Sequence, residues 1–194
     1  MASHVTFSAY GFWLPNDPRG SGSGFVGSKQ LLRFGDATKV NTTRSVAHVA
    51  HDSGRRRAAK LAMDYPPVRF SGRQALEIAR GFADASVEGQ YIIYACCILP
   101  EHVHLVVAHH ARDVEKIAGH LKSAATRRLA GAGLHPFGVG ATQSPWARGC
   151  WKVFLNESKD VRRAIAYVEN NPLKEGKRRQ KWSFVTLFSE GDAV

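Results

Sequence analysis

Two histidines one residue apart, His102 and His104, stand in the otherwise apolar run LPEHVHLVV. In an extended strand, residues i and i+2 share a face, so both imidazoles point one way while Val103 and Leu105 point the other. Neighbouring imidazoles of common orientation can ligate one divalent cation. Two histidines on a polar sheet face, bonded to water or backbone, have the same spacing. Two nitrogens are too few for a structural zinc site. They suit an ion that keeps open positions for water and phosphate oxygens, as Mg²⁺ or Mn²⁺ does. His110 has the same parity as His104 but lies roughly 20 Å further along the strand at about 3.3 Å per residue. His48 and His51 have the spacing of a helix surface.

A second constellation lies in AIAYVENNP, where Tyr167 and Asn171 are four residues apart and share a helix face. Ile165 and Val168 occupy positions that can pack the helix down. A helix lying across the histidine face would let one cation touch His102, His104 and Asn171, with Tyr167 beside it. Otherwise these are a tyrosine near a helix end and a C-terminal asparagine, a common residue there.

The elements that must position these groups follow from periodicity. Residues 5–14 read as a first strand, stopped by Pro15 and a turn-rich stretch. Ser71 is a plausible N-cap for a helix ending near Gly89. Residues 91–99 and 102–108 read as two strands around a turn at Pro100 and Glu101, because proline cannot donate to a central ladder. A helix is predicted over 113–129, with Val114, Ile117, Leu121, Ala124, Ala125 and Leu129 as its apolar stripe. Residues 131–149 form a long Gly-rich connection of the kind that is usually functional or mobile. CWKVFL is a short strand. Ser158 then caps a helix over 159–171, which Pro172 ends, and a basic tail occupies 174–194. Residues 25–61 give no clear pattern. Together these predict a single α+β domain over 1–194: one antiparallel sheet with helices packed against it.

Composition narrows the partners. The 194 residues carry 27 Lys and Arg against 16 Asp and Glu, a formal charge of +11, and a polyanion such as nucleic acid is the first candidate partner. Candidate phosphate contacts are Arg19, Arg55, Arg56, Arg57, Lys122, Arg127, Arg128, Lys174, Arg178 and Arg179. Trp13 and Trp146, beside turn residues, are candidates for base stacking, with Trp182; Phe12 reads as core. Cys96, Cys97 and Cys150 form no disulfide framework and fit a reducing compartment, one of the adjacent pair serving as a core residue. No run is long and apolar enough for a membrane span, and the start lacks the pattern of a signal peptide. The expectation is a cytoplasmic protein with no membrane partner.

The motifs LPEHVHLVV and AIAYVENNPLKEG, with AYGFWLPNDPRG near the start and PWARGCWKVFL before the tyrosine helix, resemble the single-tyrosine HUH transposases. The likeness is greatest to the REP-associated tyrosine transposase group. Glu101 stands where that group often has Asn, and Arg163 stands where two-tyrosine relatives carry a second tyrosine. The resemblance implies a ferredoxin- or RRM-like HUH nuclease fold and cleavage and rejoining of single-stranded, hairpin-forming DNA. It also implies Tyr167 as nucleophile, giving a 5′-phosphotyrosine, and His102, His104 and Asn171 as ligands of Mg²⁺ or Mn²⁺. Such proteins occur as monomers and as homodimers that exchange tyrosine helices. A phenol is mostly protonated at neutral pH; the cation or Lys174 would favour its ionised form. Three other readings remain: a non-catalytic single-stranded nucleic-acid-binding module, a metal-dependent hydrolase that uses water, and a former transposase now acting as a host protein.

Overall fold

A computed structural model describes residues 1–12, 14, 29–35 and 51–189. The expectations for Trp13, Arg19 and His48 lie outside the described residues. Four strands, β1 (Ala2–Ser8), β2 (Ile93–Ile98), β3 (His102–Ala108) and β4 (Trp151–Leu155), form one antiparallel sheet in the order β2-β3-β1-β4. The helices are α1 (Lys29–Leu32), α2 (Ser53–Leu61), α3 (Gly72–Gly89), α4 (Val114–Gly131) and α5 (Ser158–Lys174). This is the α+β architecture expected, and β3 has the predicted bounds.

Alternation along the strands sends side chains to two faces, and each face has its own cover. Val5, Phe7, Val103, Leu105 and Ile98 pack under α3 and α4 with Ile78, Phe82, Ile117 and Leu121. Val106, Cys97 and Leu99 pack under α5 with Val161, Ala164 and Val168. Fully burying one such aliphatic side chain contributes roughly 1.5–3 kcal/mol. Both adjacent cysteines are buried, rather than one, because β2 is covered on both sides. Helix α3 starts as expected: Ser71 and Gln74 form a capping box, each side chain bonding the other's backbone N–H. A Cβ on Gly81 would lie 2.6 Å from the Ala125 backbone, so glycine there lets α3 and α4 touch.

Several expectations change. Strand β1 begins at Ala2, not Val5, and ends at Ser8, before the turn at Gly11, whose φ is +77°. Glu157, not Ser158, is the N-cap of α5, and it makes no side-chain capping bond. Pro172 lies inside the last turn of α5 instead of ending it. Termination comes from Gly176 at φ +66°: its N–H donates to the Leu173 carbonyl and that of Lys177 to Pro172. That pairing is a Schellman motif, which requires a residue free to turn left-handed. The prolyl ring costs the helix the one N–H that would donate to the Val168 carbonyl.

The 131–149 connection is tied down. Tyr10 N–H donates to Pro145 O, Ala147 N–H to Ser8 O, and the Gln74 amide to Leu134 O. The basic tail is also anchored. Gln180 accepts from Ile98 N–H and donates to Ile98 O, at 2.7 Å each, covering the open edge of β2. Trp182 and Phe184 pack against the α3–α4 core, so Trp182 is no free stacking surface.

Candidate active site

The α5 face of the sheet is built from alternate residues. Cross-strand pairing places Thr6 opposite His104 and Ser8 opposite His102, and Cys97 flanks His104 from β2. His104 and His102 are 4.9 Å apart between ring centroids, near perpendicular. His104 Nδ1 lies 2.9 Å from Thr6 Oγ1 and 3.2 Å from His4 Nε2. Burial, then the neighbouring His102, His4 and Lys174, hold the His104 pKa well below the usual imidazole value, and burial lowers that of His4. Both rings are therefore neutral at pH 7. A neutral His104 whose Nδ1–H donates to Thr6 or His4 presents a bare Nε2, the form that ligates metals.

Helix α5 lays its tyrosine over this group. The Tyr167 ring stands edge-on to His104 at 5.5 Å and 89°, and to His4 at 5.6 Å and 68°. Its position follows from the helix period: Val161, Ala164 and Val168 form the buried stripe, and Tyr167 sits at its margin, 41% exposed. Asn171, 6% exposed, continues the buried stripe one turn on. Lys174 places its Nζ 4.3 Å from the Tyr167 ring centroid. Phe12 stacks on His102 at 5.2 Å and 22°, closing the other side. Tyrosine and histidines come together within one chain.

Among the described residues, no three His, Cys, Asp or Glu side chains are grouped to hold a metal. His4, His102 and His104 present their imidazoles on this face, and Asn171 is buried on α5. A neutral nitrogen pair with a carboxamide oxygen suits a hard divalent ion that leaves positions open to phosphate.

The basic candidates divide between layers. Arg56 of α2, with Lys60, borders a cleft of about 120 Å³ beside Phe12, Arg69 and Glu101, and Arg55 and Arg57 are exposed on the same helix. Arg178 is exposed, and Arg179 donates to the Asn170 side chain at 2.5 Å. Lys122, Arg127 and Arg128 belong to α4, on the far side of the sheet from Tyr167. Lys122 is not a free phosphate contact: its Nζ donates to Ala147 O at 2.9 Å and to Gly149 O, and lies 5.0 Å from the Phe7 ring centroid. Arg128 grips Asp84 with two bonds, at 2.5 and 2.8 Å. Trp146 does not offer a stacking face. It is 3% exposed, packs on Phe7 and Phe70, and donates from Nε1 toward Lys122 O and Thr126 Oγ1. The turn residues beside it bring it inward as the anchor of the connection.

Reading the sequence missed His4 and Thr6. The alternation in ASHVTFS would have placed His4, Thr6 and Ser8 on one face, had the first strand been started three residues earlier.

The fold and the site together define a four-stranded antiparallel α+β domain in which a tyrosine helix covers a histidine-bearing strand. No family model matches the chain, and no curated protein matches it. Among solved structures, one similar chain is a REP-associated tyrosine transposase bound to a REP hairpin, at 15% identity and a TM-score of 0.48, covering 90% of this chain and 68% of that one. Another is a protein of Deinococcus radiodurans R1 described as a candidate transposase, at 14% identity and a TM-score of 0.42, covering 93% of this chain and 92% of that one. No described helix is long and apolar enough to cross a membrane.

Proposed function

We propose that this chain cleaves and rejoins single-stranded, hairpin-forming DNA through a covalent 5′-phosphotyrosine at Tyr167. The observation that carries the reading is the edge-on packing of the Tyr167 ring against His104 and His4 in its own chain. In the step itself, the phenol oxygen bonds to phosphorus and gives up its proton, while the P–O3′ bond breaks and the departing 3′-oxygen takes a proton. Bond energy is retained in the phosphotyrosine, so a 3′-hydroxyl of another strand reverses the step without ATP.

His102, His104 and Asn171 would hold Mg²⁺ or Mn²⁺, which when bound polarises the phosphate oxygens and offsets the charge that develops on them. Thr6 and His4 orient His104 by holding its Nδ1. Lys174, over the Tyr167 ring, attracts the phosphodiester. A divalent ion and an ammonium on one small face repel each other, and a phosphate between them relieves that repulsion.

The test incubates the protein with end-labelled single-stranded hairpin DNA and Mn²⁺, then runs a denaturing gel. A covalent protein–DNA band that maps to the Tyr167 peptide supports the reading. Cleavage with no covalent band points to hydrolysis by water. Binding with neither points to a nucleic-acid-binding module, which the +11 charge would also serve.

A further inference from the structure

The α5 face carries one surface that the proposed reaction leaves unused. Strand pairing sets Trp151 of β4 opposite Thr6 and Val153 opposite His4. Cross-strand partners share a face, with Cβ atoms about 5 Å apart, so Trp151 and Val153 continue the floor of the site outward from the two residues that contact His104. Helix α5 packs over β2 and β3 and leaves them uncovered: Trp151 is 46% and Val153 43% exposed. Leu155, two residues on, is buried under α5, so exposure begins where the helix margin ends. That margin carries Arg163, Tyr167 and Lys174, spaced four and seven apart along one side of α5. Arg163 reaches Asp160 at 3.4 Å, exposed and loosely held, and Arg148 is exposed just before β4.

We propose that Trp151, with Val153, is a stacking platform for an unpaired base of single-stranded nucleic acid, the nucleotide adjoining the phosphate at Tyr167. The occupant follows from the surroundings. An exposed indole face beside an aliphatic side chain offers a flat apolar floor of the kind on which any base stacks. The cationic margin of α5 complements a phosphate backbone running alongside it, where an apolar protein partner would leave those charges unanswered. The platform rests on the proposed function only for the position of the reacting phosphate.

The test uses the full chain carrying Tyr167→Phe, so that nothing turns over, and a short fluorescein-labelled single-stranded oligonucleotide with Mn²⁺. Trp151→Ala is expected to weaken binding about tenfold, the loss of one base–aromatic stack. The salt dependence should not change, because no phosphate contact is removed. Trp151→Phe is expected to retain most of the affinity. Poly(dT) should quench tryptophan emission in the Trp151 protein and much less in Trp151→Phe, a reading that stands if Trp151→Ala does not fold. Unchanged affinity and unchanged quenching overturn the platform. So does a dimer of the Trp151 protein that Trp151→Ala dissolves without altering affinity for the oligonucleotide. The two proposals fail separately. A protein that forms no covalent adduct but needs Trp151 to bind loses the reaction and keeps the platform. One that forms the adduct while Trp151→Ala binds normally keeps the reaction and loses the platform.

Discussion

His4 Nε2 lies 3.2 Å from His104 Nδ1, and both rings stand edge-on to Tyr167. A residue at the start of the chain therefore orients a candidate metal ligand a hundred positions away and forms part of the seat for the proposed nucleophile. Partners that hold a ligating histidine are typically worth 10–100-fold in metal affinity. His4→Ala is accordingly expected to weaken Mn²⁺ binding at least about tenfold, measured by titration calorimetry. Affinity for single-stranded DNA in metal-free buffer should barely change. Unaltered Mn²⁺ affinity would leave His4 a packing residue only.

Tyr167→Phe removes one oxygen and keeps the ring that packs against His4 and His104. The expected outcome is full loss of the covalent DNA adduct, with thermal stability and oligonucleotide affinity close to those of the unaltered chain. An adduct that persists in Tyr167→Phe would remove the nucleophile assignment. A large drop in melting temperature would show that the hydroxyl has a structural role.

Lys122 holds the 147–149 turn through two backbone carbonyls, and burial lowers its pKa from the ordinary 10.5 to about 8. The folded state thus disfavours the charged amine relative to the unfolded chain. Below about pH 8 both states bind the proton and the burial penalty is present in full. Between about 8 and 10.5 the unfolded state holds more protons, so this group's contribution to stability rises with pH. The melting temperature of the Lys122 protein relative to Lys122→Met should therefore rise from pH 7 to pH 9.5. A flat difference would mean that the two carbonyls and the Phe7 ring stabilise the ammonium enough to cancel its burial.

Trp146 is a structural residue, and its replacement should show in stability first. Truncation leaves a cavity against Phe7 and Phe70 and deletes the Nε1 bonds; Trp→Ala changes at buried sites cost about 3–5 kcal/mol. Urea unfolding of Trp146→Ala should show a loss of that order. Oligonucleotide affinity, measured well below the unfolding midpoint, should be retained. The contrast with Trp151→Ala separates the buried indole from the exposed one.

Much of the fold was legible in the chain because local rules and global packing agree there. The bounds of β3, the Ser71 cap and the apolar stripe of α4 are written in periodicity and capping chemistry, which depend on neighbours within a few residues. The end of α5 was misread because the helix runs on through Pro172, and Gly176, in the left-handed region, supplies the stop four residues later. Trp146 and Trp151 show the limit most clearly. Both flank turn residues, and only the course of the connection over β1 and the reach of α5 across the sheet decide which is buried.

By itself the sequence determined the parts: a strand that aims His102 and His104 the same way, a helix that carries Tyr167 and Asn171 on one side, and an excess of positive charge. Those follow from spacing, because backbone geometry fixes where side chains point within one element. Only the tertiary structure decided that α5 folds over its own chain's histidines, that His4 and Thr6 of β1 complete the group, and that Trp151 stays open beside it. Such relations between distant segments depend on which faces bury together, and no local pattern encodes that choice.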